Sequence, residues 1–177
     1  IVLLICNIPV FAAEKDPTAV IGNSVITAGD SGRLSITVQN FDSFVGGYNF
    51  EIAFPEYTQI TDVYLGETKL TSLEDGGSDY NIRSGNILVL AGTCNYEGGT
   101  DLDDNTVYHV EFITPEDTSN GEYPVEFTKN TYIVADSNDE ELIYPDKVNG
   151  IVNLTEEIVD KADINESGAS DATDMTI

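Results

Sequence analysis

Apolar and polar side chains alternate with a period of two, in short segments, from Asp16 to about Leu154. An extended chain sends successive side chains to opposite faces, so a segment patterned this way buries one face only as a β-strand. Leu34, Ile36 and Val38 fall on one face of residues 33–40, with Ser35, Thr37 and Gln39 on the other. Residues 48–54 repeat the pattern with Tyr48, Phe50, Ile52 and Phe54 inward, and Tyr108, Val110 and Phe112 do so in residues 107–113. Tyr123, Val125 and Phe127 continue it, and Val148, Val152 and Leu154 close it within residues 147–154. Residues 86–91 read Asn-Ile-Leu-Val-Leu-Ala, unbroken apolar after Asn86, the pattern of a strand covered on both sides. Gly29-Asp30, Gly46-Gly47, Gly76-Gly77, Gly98-Gly99 and Asn120-Gly121 punctuate the segments as turns.

Roughly nine such strands with almost no helical periodicity predict an all-β fold, an antiparallel β-sandwich or jelly roll. The expected domain, residues 17–155, is large enough to bury its own core. Pro55, Pro115, Pro124 and Pro145 are expected at strand ends or edges, where a missing N–H is tolerated. Residues 156–162 read as a short acidic connector that leaves little room for a flexible linker.

Charge and cysteine usage narrow the function classes. With 32 acidic against 7 basic residues the net charge is −25, which excludes general affinity for nucleic-acid backbones or anionic membranes. Residues 2–11, VLLICNIPVF, form an apolar stretch interrupted only at Asn7, and Val10-Phe11-Ala12 fits a small-x-small cleavage rule, so residues 1–12 read as part of a secretory signal peptide. The run is shorter than the ~20 apolar residues that span a bilayer. Cleavage after Ala12 removes Cys6 and leaves Cys94 alone, so stability is expected from a core or a metal rather than from a disulfide.

Residues 163–174 bring oxygen-bearing side chains to loop positions 1, 3, 5, 9 and 12 with Gly168 at position 6, the spacing of an EF-hand-type calcium loop. Calcium takes six to eight oxygens, so a short loop must return side chains to one point and turn sharply between them. The expected ligands are Asp163, Asn165, Ser167, the Ala169 carbonyl, Asp171 and Asp174. Ser167 at position 5 and an Asp at position 12 depart from the strict pattern. The loop, with Ala172-Thr173 before its closing Asp174, resembles the first repeat of a bacterial dockerin, the calcium-dependent plug of cellulosomes. That resemblance implies that Ala172 and Thr173 help to choose the partner, a cohesin on a larger scaffold. Residues 163–177 are expected to hold a truncated first repeat.

The sandwich in turn resembles a cohesin domain. The resemblance rests on Ala19-Val-Ile-Gly-Asn-Ser24, on Ala28-Gly29-Asp30, and on Gly46-Gly-Tyr-Asn-Phe-Glu-Ile-Ala-Phe-Pro55 set against the family's G-x-x-F-x-L-x-Y-D-P strand. It continues through Gly85-Asn-Ile-Leu-Val-Leu-Ala91, the strand of residues 108–112, which reads Tyr-His-Val-Glu-Phe, and the closing Val148-Asn-Gly-Ile-Val-Asn-Leu154. Cohesins receive dockerins on one sheet face, which implies that the outward residues of the residue 46–55 strand, Asn49 and Glu51, belong to a docking face. Asn49 stands where many members carry Asp, Gly47 where a binding Asn is frequent, and Gly92-Thr93 where an acidic residue is common. The alternative for Asn49 and Glu51 is an ordinary solvated strand position.

Two other functions compete. Asp101, Asp103 and Asp104, and Asp136, Asp139, Glu140 and Glu141, supply carboxylates, but no spacing singles out a glycosidase couple. His109 is the single histidine and alternates outward, and there is no HExxH, GxSxG or phosphate loop, so no enzyme is expected. A carbohydrate-binding module would stack sugars on exposed aromatics; there is no Trp, and Tyr57, Tyr64, Tyr80, Tyr96 and Tyr144 are the candidates for such a strip. The expectation is therefore a secreted, extracellular, non-catalytic protein of a cellulosome-like complex. Its sandwich binds dockerin-bearing proteins, its own calcium-dependent dockerin docks to a scaffold, and carbohydrate binding is the alternative.

Overall fold

The computed structural model describes residues 16–40, 45–77, 79–93, 106–135 and 142–156. Residues 1–12, read as part of a signal peptide, residues 157–162 of the connector and residues 163–177, read as a truncated dockerin repeat, lie outside the described residues. Fourteen strands form among those described: β1 (Thr18–Ile21), β2 (Ser24–Thr27), β3 (Ser31–Gln39), β4 (Val45–Ala53), β5 (Gln59–Leu65), β6 (Thr68–Lys69) and β7 (Tyr80–Arg83), followed by β8 (Ile87–Thr93), β9 (Val107–Ile113), β10 (Gly121–Phe127), β11 (Tyr132–Ala135), β12 (Leu142–Ile143), β13 (Asp146–Val148) and β14 (Gly150–Thr155). The excess over the nine expected comes from two-residue edge strands and from strands that divide between sheets.

Those strands build a sandwich of two sheets. The first has the order β13-β1-β3-β9-β5-β6; the second has β12-β11-β4-β10-β14-β2, with β8 on β4 and β7 beyond β8. Pairing is antiparallel except for β1 with β13 and β14 with β2. Alternation placed the core correctly for β3, β4 and β9: Leu34, Ile36, Val38, Phe50, Ile52, Val110 and Phe112 are all buried. Aromatic rings link the layers, with Phe54 6.2 Å from Phe112 and Tyr48 6.3 Å from Tyr108 between centroids. Burying one such side chain stabilises the fold by roughly 1.5–3 kcal/mol.

Gly32 and Gly92 lie opposite Phe112 and Tyr48 in register, and each aromatic ring occupies the space a Cβ would need. The glycines let these large rings lie flat across the neighbouring strand. Tyr48 and Tyr108 share a hydrogen bond between their hydroxyls inside the core. Burial, with the Tyr48 hydroxyl alongside, pushes the Tyr108 phenol above its usual range.

The closing segment departs from the sequence expectation. Residues 147–154 are two strands on different sheets, and Val148, expected inward, is 48% exposed on β13. The chain changes sheet between them, as it also does between β1 and β2, and the two crossings touch. A Cβ on Gly150 would strike the Gly22 carbonyl and the Ile21 side chain, while the Ile151 N–H donates to Asn23 Oδ1 at 2.9 Å. Pro124 sits within β10 rather than at its end; β10 pairs with β14 through Val125 and with β4 only from Glu126. The proline therefore lies where one side of the strand is not yet paired with β4. Residues 86–91 are buried on both faces only in part: Leu88 and Leu90 face the core and Val89 is covered, but Ala91 is exposed.

Candidate functional site: the outer face of the second sheet

Strand β4 is central to this face because β8 and β11 flank it and β7 extends it beyond β8. Phe50, Ile52, Leu88, Leu90 and Ile133 are fully buried, so their neighbours Asn49, Glu51, Val89, Ala91, Tyr132 and Val134 must point outward. Register sets Asn49 beside Ala91 on one side and Tyr132 on the other, and Glu51 beside Val89. On β7, Tyr80 is buried and Ile82 packs on the core, which turns Asn81 and Arg83 outward.

Both residues read from the sequence as docking-face positions hold the turn between β10 and β11. Asn49 donates from Nδ2 to the Asn130 carbonyl at 2.7 Å. The backbone of Glu51 is held by three bonds: its N–H donates to Thr131 Oγ1 at 3.1 Å, and its carbonyl accepts from Thr131 Oγ1 at 3.1 Å and from the Thr128 N–H at 2.8 Å. Asn49 remains half-buried.

Glu51 is not a solvated strand residue. Its side chain is 6% exposed, Oε1 accepts from Arg83 Nη1 at 3.2 Å, and Oε2 accepts from Thr128 Oγ1 at 3.1 Å. A carboxylate taken from water requires such partners, since an unpaired buried charge is very costly. β8 lies between β4 and β7, so this ion pair reaches across two inter-strand gaps, ~10 Å in all. On β8 between them, Ile87 stands opposite Arg83 and Val89 opposite Glu51, and Val89 is only 6% exposed. The Arg83 side chain itself is 54% exposed.

Other cations gather near the same corner. Lys147 donates from Nζ to the Thr128 carbonyl at 2.8 Å, and Lys129 is exposed beside it in the chain. Arg33 and Lys69 are engaged on the first sheet, Arg33 over the Tyr64 ring at 5.6 Å and Lys69 in an ion pair with Asp62. Sequence reasoning missed Arg83, Thr128, Thr131 and Tyr132. Their roles depend on strand neighbours far away in the chain, and no local spacing signals them.

The described tyrosines do not form a sugar-stacking strip. Tyr57 packs edge-on against Tyr123 at 5.0 Å, Tyr64 lies under Arg33, Tyr80 is buried, and Tyr144 is exposed between β12 and β13. Tyr96 lies outside the described residues, as do the acidic groups at 101–104 and 136–141. Burial around Tyr57, reinforced by Tyr123, pushes its phenol up to about 12. Its hydroxyl is buried without a hydrogen-bond partner among the described residues. His109 stands on the first sheet, in register with Ser35 and Tyr64 and half-buried.

Asp163, Asn165, Ser167, Ala169, Asp171 and Asp174, read from the sequence as calcium ligands, and Ala172 and Thr173, read as helping to choose the partner, all lie outside the described residues. Among the described residues no cluster of three or more His, Cys, Asp or Glu side chains is arranged to hold a metal.

This arrangement, a two-sheet sandwich with parallel terminal pairs and an open face on the β4–β8 sheet, is the cohesin fold. No protein-family model matches the sequence, and no curated protein matches it. Solved structures do. The OlpA cohesin of Clostridium thermocellum, determined in a type I complex with a dockerin, aligns with a TM-score of 0.63 at 17% identity, over 80% of this chain and 100% of that one. The sixth cohesin of Acetivibrio cellulolyticus scaffoldin B, in complex with a Cel5 dockerin, gives 0.63 at 14% identity over 80% and 100%. A non-cellulosomal cohesin from the archaeon Archaeoglobus fulgidus gives 0.60 at 18% identity over 81% and 94%.

Proposed function

We propose that the chain is a secreted, non-catalytic assembly protein whose sandwich binds dockerin-bearing proteins on the outer face of β7, β8, β4 and β11. The observation that carries this reading is the cohesin fold, shared with domains whose solved structures hold a dockerin. The character of the face supports it: short side chains at Ala91 and Val134, hydrogen-bonding Asn49, and a half-buried Tyr132. Protein docking suits such a face better than sugar stacking, which needs exposed planar rings.

In the same reading, the calcium loop 163–174 is the start of a dockerin that plugs into a cohesin on a larger scaffold. Calcium acts there structurally, neutralising the carboxylates of Asp163, Asp171 and Asp174. The apolar residues 2–11 support secretion through a signal peptide. The test is capture of purified dockerin modules by the immobilised chain, with and without a calcium chelator, beside retention on insoluble polysaccharide. Chelator-sensitive capture is expected; polysaccharide retention without dockerin capture would move the function to carbohydrate binding.

A further inference from the structure

We propose that Arg83, set in place by the buried Glu51, is the residue that gives this face its partner specificity, by donating a forked pair of hydrogen bonds to a carboxylate on the docking protein. The inference rests on the docking reading above and adds the chemistry of the partner.

Glu51 is the reason to look there. A carboxylate with 6% of its side chain exposed sits on the outside of a sheet, where an apolar side chain of similar size would serve stability at least as well. What Glu51 does that an apolar residue cannot is fix a guanidinium. The Arg83 Nη1 bond at 3.2 Å draws the side chain across β8 and over the middle of the face, when a free arginine on an edge strand would range through solvent. An arginine carries five N–H donors in a rigid fork. With one side of that fork on Glu51 and 54% of the side chain still exposed, donors remain for an incoming ligand.

Charge points the same way. The chain carries −25 overall and repels acidic partners in general, so an acidic contact is admitted only where cations are concentrated. Of the five cations in the described residues, Arg33 and Lys69 are engaged across the first sheet, whereas Arg83 joins Thr128 through Glu51, Lys147 reaches the Thr128 carbonyl from the edge strand β13, and Lys129 follows Thr128 in the chain. A guanidinium fork fits planar oxyanions, and on a protein surface the matching group is the side chain of Asp or Glu.

The experiment measures affinities of the full chain and its variants for a panel of purified, calcium-loaded dockerin modules by surface plasmon resonance. For a dockerin that binds, Arg83→Gln is expected to weaken binding roughly 10- to 100-fold, the range of a hydrogen bond to a charged group. Arg83→Lys, which keeps the charge but loses the fork, should lose less. Because Arg83→Gln strands the Glu51 carboxylate, the Glu51→Gln/Arg83→Gln double variant is measured too; it has no buried charge and should show the same loss with a folded circular-dichroism spectrum. One Asp or Glu of the dockerin outside its calcium loops should, when neutralised, cause a matching loss that does not add to that of Arg83→Gln. Wild-type affinity in the folded double variant, or additive losses with every dockerin acid, would overturn the assignment of Arg83 while leaving the docking face standing. Binding of no dockerin by the wild-type chain would overturn both.

Discussion

Replacing Arg83 with Ala removes the only cation that pairs with Glu51 among the described residues and tests whether that carboxylate is buried as the fold requires. Breaking a fully buried ion pair by deleting one partner costs about 3–5 kcal/mol, and an exposed pair is worth about 0–1 kcal/mol. This pair lies between the limits: Glu51 is 6% exposed on its side chain and Arg83 54%. Thr128 Oγ1 still donates to Oε2 after the change, which limits the loss. The expected destabilisation is therefore about 2 kcal/mol, seen as a lower urea midpoint at unchanged m-value. Adding Glu51→Gln to Arg83→Ala removes the stranded charge and should recover most of the loss. A single variant within about 0.5 kcal/mol of wild type, the error of a surface substitution, or a double variant less stable than the single, would refute the reasoning.

Three further outcomes follow from the geometry. Gly150→Ala forces a methyl group into the Gly22 carbonyl and Ile21 where the terminal strands change sheets; a loss of about 2–3 kcal/mol in thermal or urea unfolding is expected. The Tyr57 phenol, raised to about 12 from an ordinary 10, favours the folded state below pH 10, and that contribution is lost as pH rises from 10 towards 12. Tyr57→Phe should flatten this part of the alkaline unfolding curve and, by deleting a buried hydroxyl without a partner, leave neutral-pH stability unchanged or slightly higher. In calcium titrations of the full chain, Asp163→Ala and Asp174→Ala should each weaken binding; unchanged titrations in both would remove the calcium loop from the account.

The strands that carry the core were legible because their pattern is local. Phe50 and Ile52, or Val110 and Phe112, are two residues apart, and a period of two is enough to assign their face. The sheet crossings were not legible for the same reason. Alternation runs on through Val148, Asn149 and Gly150, and only the contact of Gly150 with Gly22, far back in the chain, shows that the strand leaves one sheet for the other. Asn49 was placed outward, as the burial of Phe50 requires, but its bond to the Asn130 carbonyl connects residues separated by 81 positions. Glu51 reads from its neighbours in the chain only as an outward position, on a docking face or solvated; the partners that hold its buried carboxylate are Arg83, two strands away, and Thr128, just after β10.

The docking face itself is tested most directly by amide chemical-shift mapping of the full chain titrated with a calcium-loaded dockerin. The largest perturbations are expected to cluster at Asn49, Arg83, Ala91 and Tyr132, with β3 and β9 on the opposite sheet unaffected. Perturbations centred on Arg33, His109 and Glu111 of that opposite sheet, or a spectrum unchanged by every dockerin tried, would contradict it.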